Sequence, residues 1–482
     1  MANAESNQGG IDRRLQGVLA LSWLAAFTPI LDLDIVTTAL PRIGLAFGVG
    51  ASDLAWVVNA YIISFAVSIL AVGRIGDATG RRRVLAGGAV LFALATAGAA
   101  LAPSLPALLA MRALQGLGGS AMLTTSLATV SAAFEGPLRA RALGLYFSGG
   151  ALGGVAGPVV GGMLVSAFGW RAMFAVQVPL AVVVAVLAIA VLRESRGQAR
   201  SLDLPGLALA GFAVLGLNVA LLGARDWGWI SPPSAVAFAA ALVGIIGFIA
   251  RERTARDPAV RLQVFRNRRF VAASIVGAAT WFAILAASVQ IPIQLQQGRG
   301  FDPAATGWLL LPWSLAAFLA FPRVGAFVPR LGEGRLMFGG LALVAAMLVL
   351  LAALDAASPW WVLMPIVAVL GLAMAASIVT SAAVAVGEFS AEEAGVASGV
   401  FNSIRQLGSV LGVAVPAAVF DVAAGGRFVG DQVFDGTRAA LGLAAILVAL
   451  AAFGGARMFA AHAGAASLVR ASDGYSAPAT PG

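Results

Sequence analysis

Four polar residues set deep in apolar sequence carry the chemistry of this chain. Asp32 and Asp34 lie near the end of one long apolar run, Leu31-Asp32-Leu33-Asp34-Ile35-Val36-Thr37-Thr38-Ala39-Leu40-Pro41. Arg112 and Gln115 lie in another, within Arg112-Ala113-Leu114-Gln115-Gly116-Leu117-Gly118-Gly119. At a helical rise of 1.5 Å per residue both sites fall roughly 9–12 Å inside the end of their run, at matching depth. An arginine inside a bilayer costs about 2.5–3.5 kcal/mol on insertion scales, so Arg112 needs a carboxylate or carbonyl partner. Burial favours a protonated acid, whereas a nearby arginine favours the carboxylate, so an aspartate held between the two can bind and release a proton. A static ion pair is the structural alternative, and for Arg112 so is snorkelling to the headgroups. The two aspartates point about 200° apart on a helix, so they cannot both face one cavity squarely.

The elements that hold these residues are hydrophobic. The chain has 482 residues, 60% of them hydrophobic and 11% charged, with a mean hydropathy of +0.93. Soluble domains are about a quarter charged, so this composition predicts an all-α polytopic membrane protein. About fourteen apolar runs are long enough to cross a hydrocarbon core of about 30 Å. Arginine is concentrated on alternate links, roughly 23 on one side against roughly 6 on the other, which predicts that the arginine-rich side and both termini are cytoplasmic. Arg13 and Arg14 precede a run too long for a cleavable signal, and no cleavage pattern follows it.

Composition also excludes functions. There is no cysteine and a single histidine, His462, so thiolate metal sites, disulfides and the usual clusters of catalytic side chains are not expected. Every Lys-or-Arg position is arginine, so no phosphate loop ending Gly-Lys exists. Energy must then come from an ion gradient, with no cofactor. The net charge of +9 is spread over short links and makes no basic face, so lipid headgroups rather than nucleic acid are its partners.

The expected organisation is an N-terminal tail (1–12), a six-helix bundle (13–200), two inserted helices (201–252) and a basic cytoplasmic linker (253–269). A second six-helix bundle (270–462) and a C-terminal tail (463–482) complete it. Two internal echoes support the paired bundles. Gly73…Gly80 recurs as Gly325…Gly332. Gly144, Ser148, Leu152, Gly153 and Gly157 recur, 255 residues on, as Gly399, Ser403, Leu407, Gly408 and Gly412. Parallel halves related by an axis along the membrane normal produce such a pattern.

Three further groups are candidate sites. The link Gly73-Arg74-Ile75-Gly76-Asp77-Ala78-Thr79-Gly80-Arg81-Arg82-Arg83 is a charged turn at the membrane surface. Asp77 in it is placed to face a helix N-terminus, and Arg81, Arg82 and Arg83 to pair across a gate with Glu392 or Glu393. Gly144, Gly153, Gly157, Pro158, Gly161 and Gly162 put glycines on one helix face beside a bend, where two helices can touch backbone to backbone. Asn59, Gln290, Gln294, Asn402, Arg405 and Gln406 are polar groups that could line a water-filled cavity, or equally bond helix to helix.

Together these motifs resemble the major facilitator superfamily, and within it the fourteen-helix drug:proton antiporters of the EmrB/QacA type. The likeness covers nearly all of residues 13–462 and includes Trp56…Tyr61 and Trp170-Arg171…Pro179. It implies a major facilitator fold of six, two and six helices in a bacterial cell membrane, acting as a monomer. It implies export of small, amphipathic organic compounds in exchange for protons. A dedicated exporter of one endogenous metabolite or self-made antibiotic is the alternative. By the same resemblance Asp32 is the first-helix acid, Arg112 the proton-coupling arginine and Gly157-Pro158 the antiport hinge. Asp34 stands where the family commonly has threonine, and Gln177 where it has asparagine.

Overall fold

The structure, a computed structural model, describes residues 13–134, 136–195, 203–255, 262–387, 389, 391–425 and 430–473. Within these ranges several positions, among them Arg74, Asp77, Gly144, Glu392, Glu393, Gly399 and His462, have surroundings that fall outside the described residues.

Apolar segments in lipid have no water to satisfy their backbone, so each must close its own hydrogen bonds as a helix. The described secondary structure is helical throughout. The first bundle comprises α1 (Arg13–Phe47), α2 (Ala51–Thr79), α3 (Arg81–Ala100), α4 (Leu105–Ala133) and α5 (Gly136–Phe168). The short α6 (Trp170–Ala175) and its continuation α7 (Gln177–Val191) complete it. The inserted pair is α8 (Leu204–Trp227) and α9 (Pro232–Thr254). The second bundle comprises α10 (Arg268–Ile293), α11 (Pro303–Leu331), α12 (Glu333–Ala353), α13 (Leu363–Gly387), α14 (Ala391–Ala423) and α15 (Asp431–Asp473). A π-helical turn, Gln294–Gly298, extends α10. Among the described residues eleven helical stretches are long and apolar enough to cross a membrane, and α2 and α8 hold shorter apolar stretches, Asp53–Ile69 and Ala208–Leu221. The expected N-terminal tail lies outside the described residues, whereas α15 runs on to Asp473, through part of the segment expected as a C-terminal tail.

The internal echoes are visible as geometry. Gly80 joins α2 to α3 at φ +121°, and Gly332 joins α11 to α12 at φ +82°, conformations that a side chain disfavours. The glycines of α5 meet the backbone of α1: a Cβ at Gly153 would lie 2.8 Å from the Phe27 carbonyl oxygen. Their echo on α14 meets α10 in the same way, where a Cβ at Gly408 or Gly412 would overlap the carbonyl oxygen of Ala278 or Phe282.

The two bundles join at the arginine-poor end. A Cβ at Gly162 of α5 would overlap the Pro303 carbonyl oxygen of α11, and a Cβ at Gly307 of α11 would overlap that of Pro158. The Ala304 amide donates to Ser166 Oγ across the junction at 3.0 Å. Gln296, in the π-turn, donates to the Thr38 carbonyl of α1 at 2.8 Å. The core of the first bundle runs without a break into Leu285, Val289 and Ile293 of α10 and Val410, Val413 and Ala417 of α14. The inserted pair packs beside this junction, with α8 against both α2 and α14.

Candidate functional site

Glycines bring α4 close enough to its neighbours to place Arg112 in the middle of the first bundle. A Cβ at Gly116 would overlap the Tyr61 carbonyl oxygen of α2, and one at Gly118 would sit 2.7 Å from the Gly88 carbonyl oxygen of α3. Gly119 lies under the Tyr61 hydroxyl, which itself donates to the Pro29 carbonyl of α1 at 3.1 Å.

Asp32, Arg112 and Gln115 meet in this enclosure, and each is fully buried. Arg112 Nη1 donates to Asp32 Oδ2 at 2.5 Å and to Gln115 Oε1 at 3.0 Å. Its Nε donates to the Val57 carbonyl at 2.9 Å. The guanidinium lies 4.6 Å from the Tyr61 ring centroid, a cation–π distance. Gln115 Nε2 donates to Asp32 Oδ1 at 3.3 Å and to Thr96 Oγ1 of α3 at 2.8 Å. Charge-assisted bonds in a dry interior are strong, and breaking a buried pair by removing one partner costs about 3–5 kcal/mol. One nitrogen of the pair, Arg112 Nη2, has no protein partner among the described residues. Each oxygen of the Asp32 carboxylate thus accepts from a different side chain of α4, Oδ2 from Arg112 and Oδ1 from Gln115.

Asp34 is not part of this network. It points to the other side of α1, with its Cβ 2.6 Å from where a Cβ on Gly157 of α5 would sit. A substituent at Gly157 would therefore collide with Asp34, so the glycine face of α5 and this second acid are one locus.

The remaining expected residues are dispersed. Asn59 does not line a cavity: it is fully buried on α2 and donates to Asn218 of α8 at 2.7 Å, tying the inserted pair to the first bundle. Gln294 donates to the Leu354 carbonyl at 3.0 Å, and Gln290 is buried on the same face of α10. Both face into the second bundle. Gln406 is buried on α14, and Asn402 makes a contact of its own. Arg405 stacks 4.5 Å from the Trp281 ring, with its Nε unpartnered among the described residues. In the charged turn, Arg82 and Arg83 approach Glu194 at 3.8 and 3.5 Å, and the Arg82 amide donates to the same carboxylate at 3.0 Å. Arg81 donates to the Ala128 carbonyl at 3.2 Å. Arg82 and Arg83 therefore reach a carboxylate of their own bundle. The side chains of Asp77, Glu392 and Glu393 lie outside the described residues, as do the surroundings of Gly144.

Sequence reasoning missed Thr96, Asn218 and Gln296. Thr96 and Asn218 are lone polar residues in apolar runs, and Gln296 belongs to the glutamine cluster Gln294–Gln297 at the end of one, which are the signals that would have found them.

Comparison with known proteins decides the family. The family model described as Major Facilitator Superfamily matches residues 22–413. The chain belongs to this superfamily. The multidrug resistance protein Stp of Mycobacterium tuberculosis is 35% identical over 403 residues, covering 83% of this chain and 75% of that protein. The tetracenomycin C resistance and export protein of Streptomyces glaucescens is 31% identical, covering 80% of this chain and 72% of that protein. A methylenomycin A resistance protein of Bacillus subtilis is 28% identical, covering 93% of this chain and 95% of that protein. In three dimensions the fold is similar to the inward-facing, unoccupied structure of a bacterial homologue of the lysosomal transporter Spinster, with a TM-score of 0.66 at 16% identity, covering 93% of this chain and 98% of that one. The POT family transporter PepTSo gives a TM-score of 0.68 at 15% identity, with the same coverage. As a major facilitator, the chain is a multi-pass membrane transporter and not an enzyme.

Proposed function

We propose that this facilitator is a proton-coupled antiporter that exports small, amphipathic organic compounds by alternating access. The observation that carries the reading is the closed Asp32–Arg112–Gln115 network, an ion pair fully buried in the middle of the first bundle. A transporter with no ion to couple would not keep three such groups fully buried. The names of the similar proteins, for multidrug resistance and antibiotic export, support the direction of transport.

In this reading the chain crosses a bacterial cell membrane fourteen times, with both termini and the arginine-rich end in the cytoplasm. Contact between the bundles at the arginine-poor end then closes the outer side and leaves the inner side to receive substrate. A proton arriving at Asp32 Oδ2 displaces the Arg112 bond. Arg112 keeps Val57 and Gln115 as partners, and the loss of the ion pair changes how α1 sits on α4. Substrate and proton bias the two arrangements of the bundles in opposite senses, which is what coupling requires. Thr96 acts on Asp32 only through Gln115, and so positions the network. No cofactor enters the cycle.

A dedicated exporter of one endogenous metabolite is the second reading, and the two antibiotic-named relatives favour it. Everted vesicles loaded with a pH-gradient dye test the common part. Addition of an exported compound should collapse the gradient only when the chain is present, and no dye response across a broad compound panel would contradict antiport. A reporter fused at residue 262 should read as cytoplasmic, and an external signal there would remove the fourteen-crossing topology.

A further inference from the structure

Asp34 is a second embedded acid that the proton network leaves unused. Its carboxylate has no hydrogen-bond or ion-pair partner among the described residues. Its Oδ2 lies 3.3 Å from where a Cβ on Gly154 would stand. On α5 that glycine falls between the face that packs on α1 (Gly153, Gly157, Gly161) and the face that packs on α11 (Pro158, Gly162), at 100° per residue. The carboxylate thus points toward the space between the two bundles.

The surface leading to it has a shape. Trp23, Phe27, Ile30 and Asp34 are partly exposed at helical spacing along α1, whereas Leu31, Asp32, Ile35 and Val36 beside them are buried. Past Asp34 the stripe stops, because Thr37, Thr38 and Pro41 are buried and Gln296 closes over Thr38. The stripe is therefore open toward the arginine-rich end and blind at Asp34. Its walls are aromatic: the Trp23 and Phe27 rings stack 5.4 Å apart, 6° from parallel. Trp23 is fixed by its indole N–H, which donates to Ser148 Oγ at 3.2 Å.

Charge decides what this slot receives. Arg112 is committed to Asp32, so it cannot balance Asp34. Among the described residues, Arg405 is another arginine set within a spanning helix. From the Gln296–Thr38 link, Asp34 is four residues along α1 and Trp281 is fifteen along α10, so Arg405 lies on the order of 15 Å nearer the arginine-rich end. A carboxylate held out of bulk water without a counter-charge is costly, and a ligand that supplies the charge recovers that cost. Aromatic faces beside it favour a cation again.

We propose that Asp34 anchors the charged group of lipophilic organic cations, with Trp23, Phe27 and Ile30 receiving their apolar part. This makes substrate recognition by Asp34 separate from proton binding at Asp32, on opposite sides of one helix. The proposal rests on the export reading for its physiological sense, but its test needs no gradient.

Two probes of the same shape and opposite charge, tetraphenylphosphonium and tetraphenylborate, are bound to the purified full chain in detergent. The wild type should bind the cation more tightly than the anion. Asp34→Asn should raise the Kd for tetraphenylphosphonium at least tenfold and leave tetraphenylborate equal or tighter. Asp34→Glu should keep cation binding within a few-fold. Unchanged cation binding by Asp34→Asn, or no cation binding by the wild type, overturns the proposal. Equal loss of both probes in Asp34→Asn and Asp34→Glu also overturns it, by showing a packing role. Intact cation binding with no proton exchange in proteoliposomes would instead refute antiport and leave this site standing.

Discussion

The two bundles share a backbone plan and differ in what they bury. In the first, the glycines of α5 seat it on α1, and in the second, Gly408 and Gly412 of α14 seat it on α10. At the offsets of the two internal echoes, 252 to 255 residues, Asp32 falls on Ile284, Leu285, Ala286 or Ala287, and Arg112 on Met364, Pro365, Ile366 or Val367. Every one of those positions is apolar. Where the first bundle closes an ion pair, the second closes an ordinary core of Ala286, Ala287, Ile366 and Val367. The fold therefore needs the glycine seams twice and the charge network once. In the proposed cycle the charge network serves proton coupling, and the glycine seams let each half move as a unit.

That contrast can be broken at its strongest point first. Arg112→Ala should leave Asp32 buried without its cation, at a cost of about 3–5 kcal/mol, and should abolish gradient-driven export in vesicles. Val367→Ala, the same truncation near the pseudo-equivalent site, should remove only apolar contact and keep export. Equal loss in the two variants would mean that the bundles are not functionally distinct. Next in size is Gly157→Leu. Even a Cβ there would sit 2.6 Å from that of Asp34, so export should fail or protons should leak, as read by passive pH-gradient decay. A smaller effect is expected from Asn218→Leu. It leaves Asn59 unsatisfied at about 1–3 kcal/mol and should lower thermal stability while the proton network still responds to pH. A variant with unchanged stability would show that the inserted pair is not tied to the first bundle through this bond.

Much of the first bundle's chemistry was legible in the chain. Asp32, Arg112 and Gln115 stand at matching depth, and a charge at that depth must be paired, so their meeting follows from burial. The helices follow from run length, because lipid permits little else. What was not legible is which neighbour each polar residue turns to. Asn59 could as well face a cavity as another helix, and only the placement of α8 behind α2 settles that it meets Asn218. The arginines at 81–83 are expected to pair with Glu392 or Glu393 across the gate; Glu194, just past the end of α7, is the carboxylate that Arg82 and Arg83 reach, and the side chains of Glu392 and Glu393 lie outside the described residues. The offset echo in glycine predicted two alike halves, yet it carried no information on the turn at Gln294–Gly298, where Gln296 crosses to Thr38. Helical angle separated Asp34 from Asp32 but could not say which of the two was enclosed.

The central claim is that Asp32, held by Arg112, is the group that exchanges a proton for substrate. Substrate-induced proton release from the purified chain in weakly buffered detergent tests it without a membrane or a gradient. The wild type should acidify the medium when an exported compound is added, and Asp32→Asn should release none while Asp34→Asn, saturated with a compound it still binds, releases most of the wild-type amount. Wild-type release from Asp32→Asn, or its loss in Asp34→Asn alone, would contradict the account.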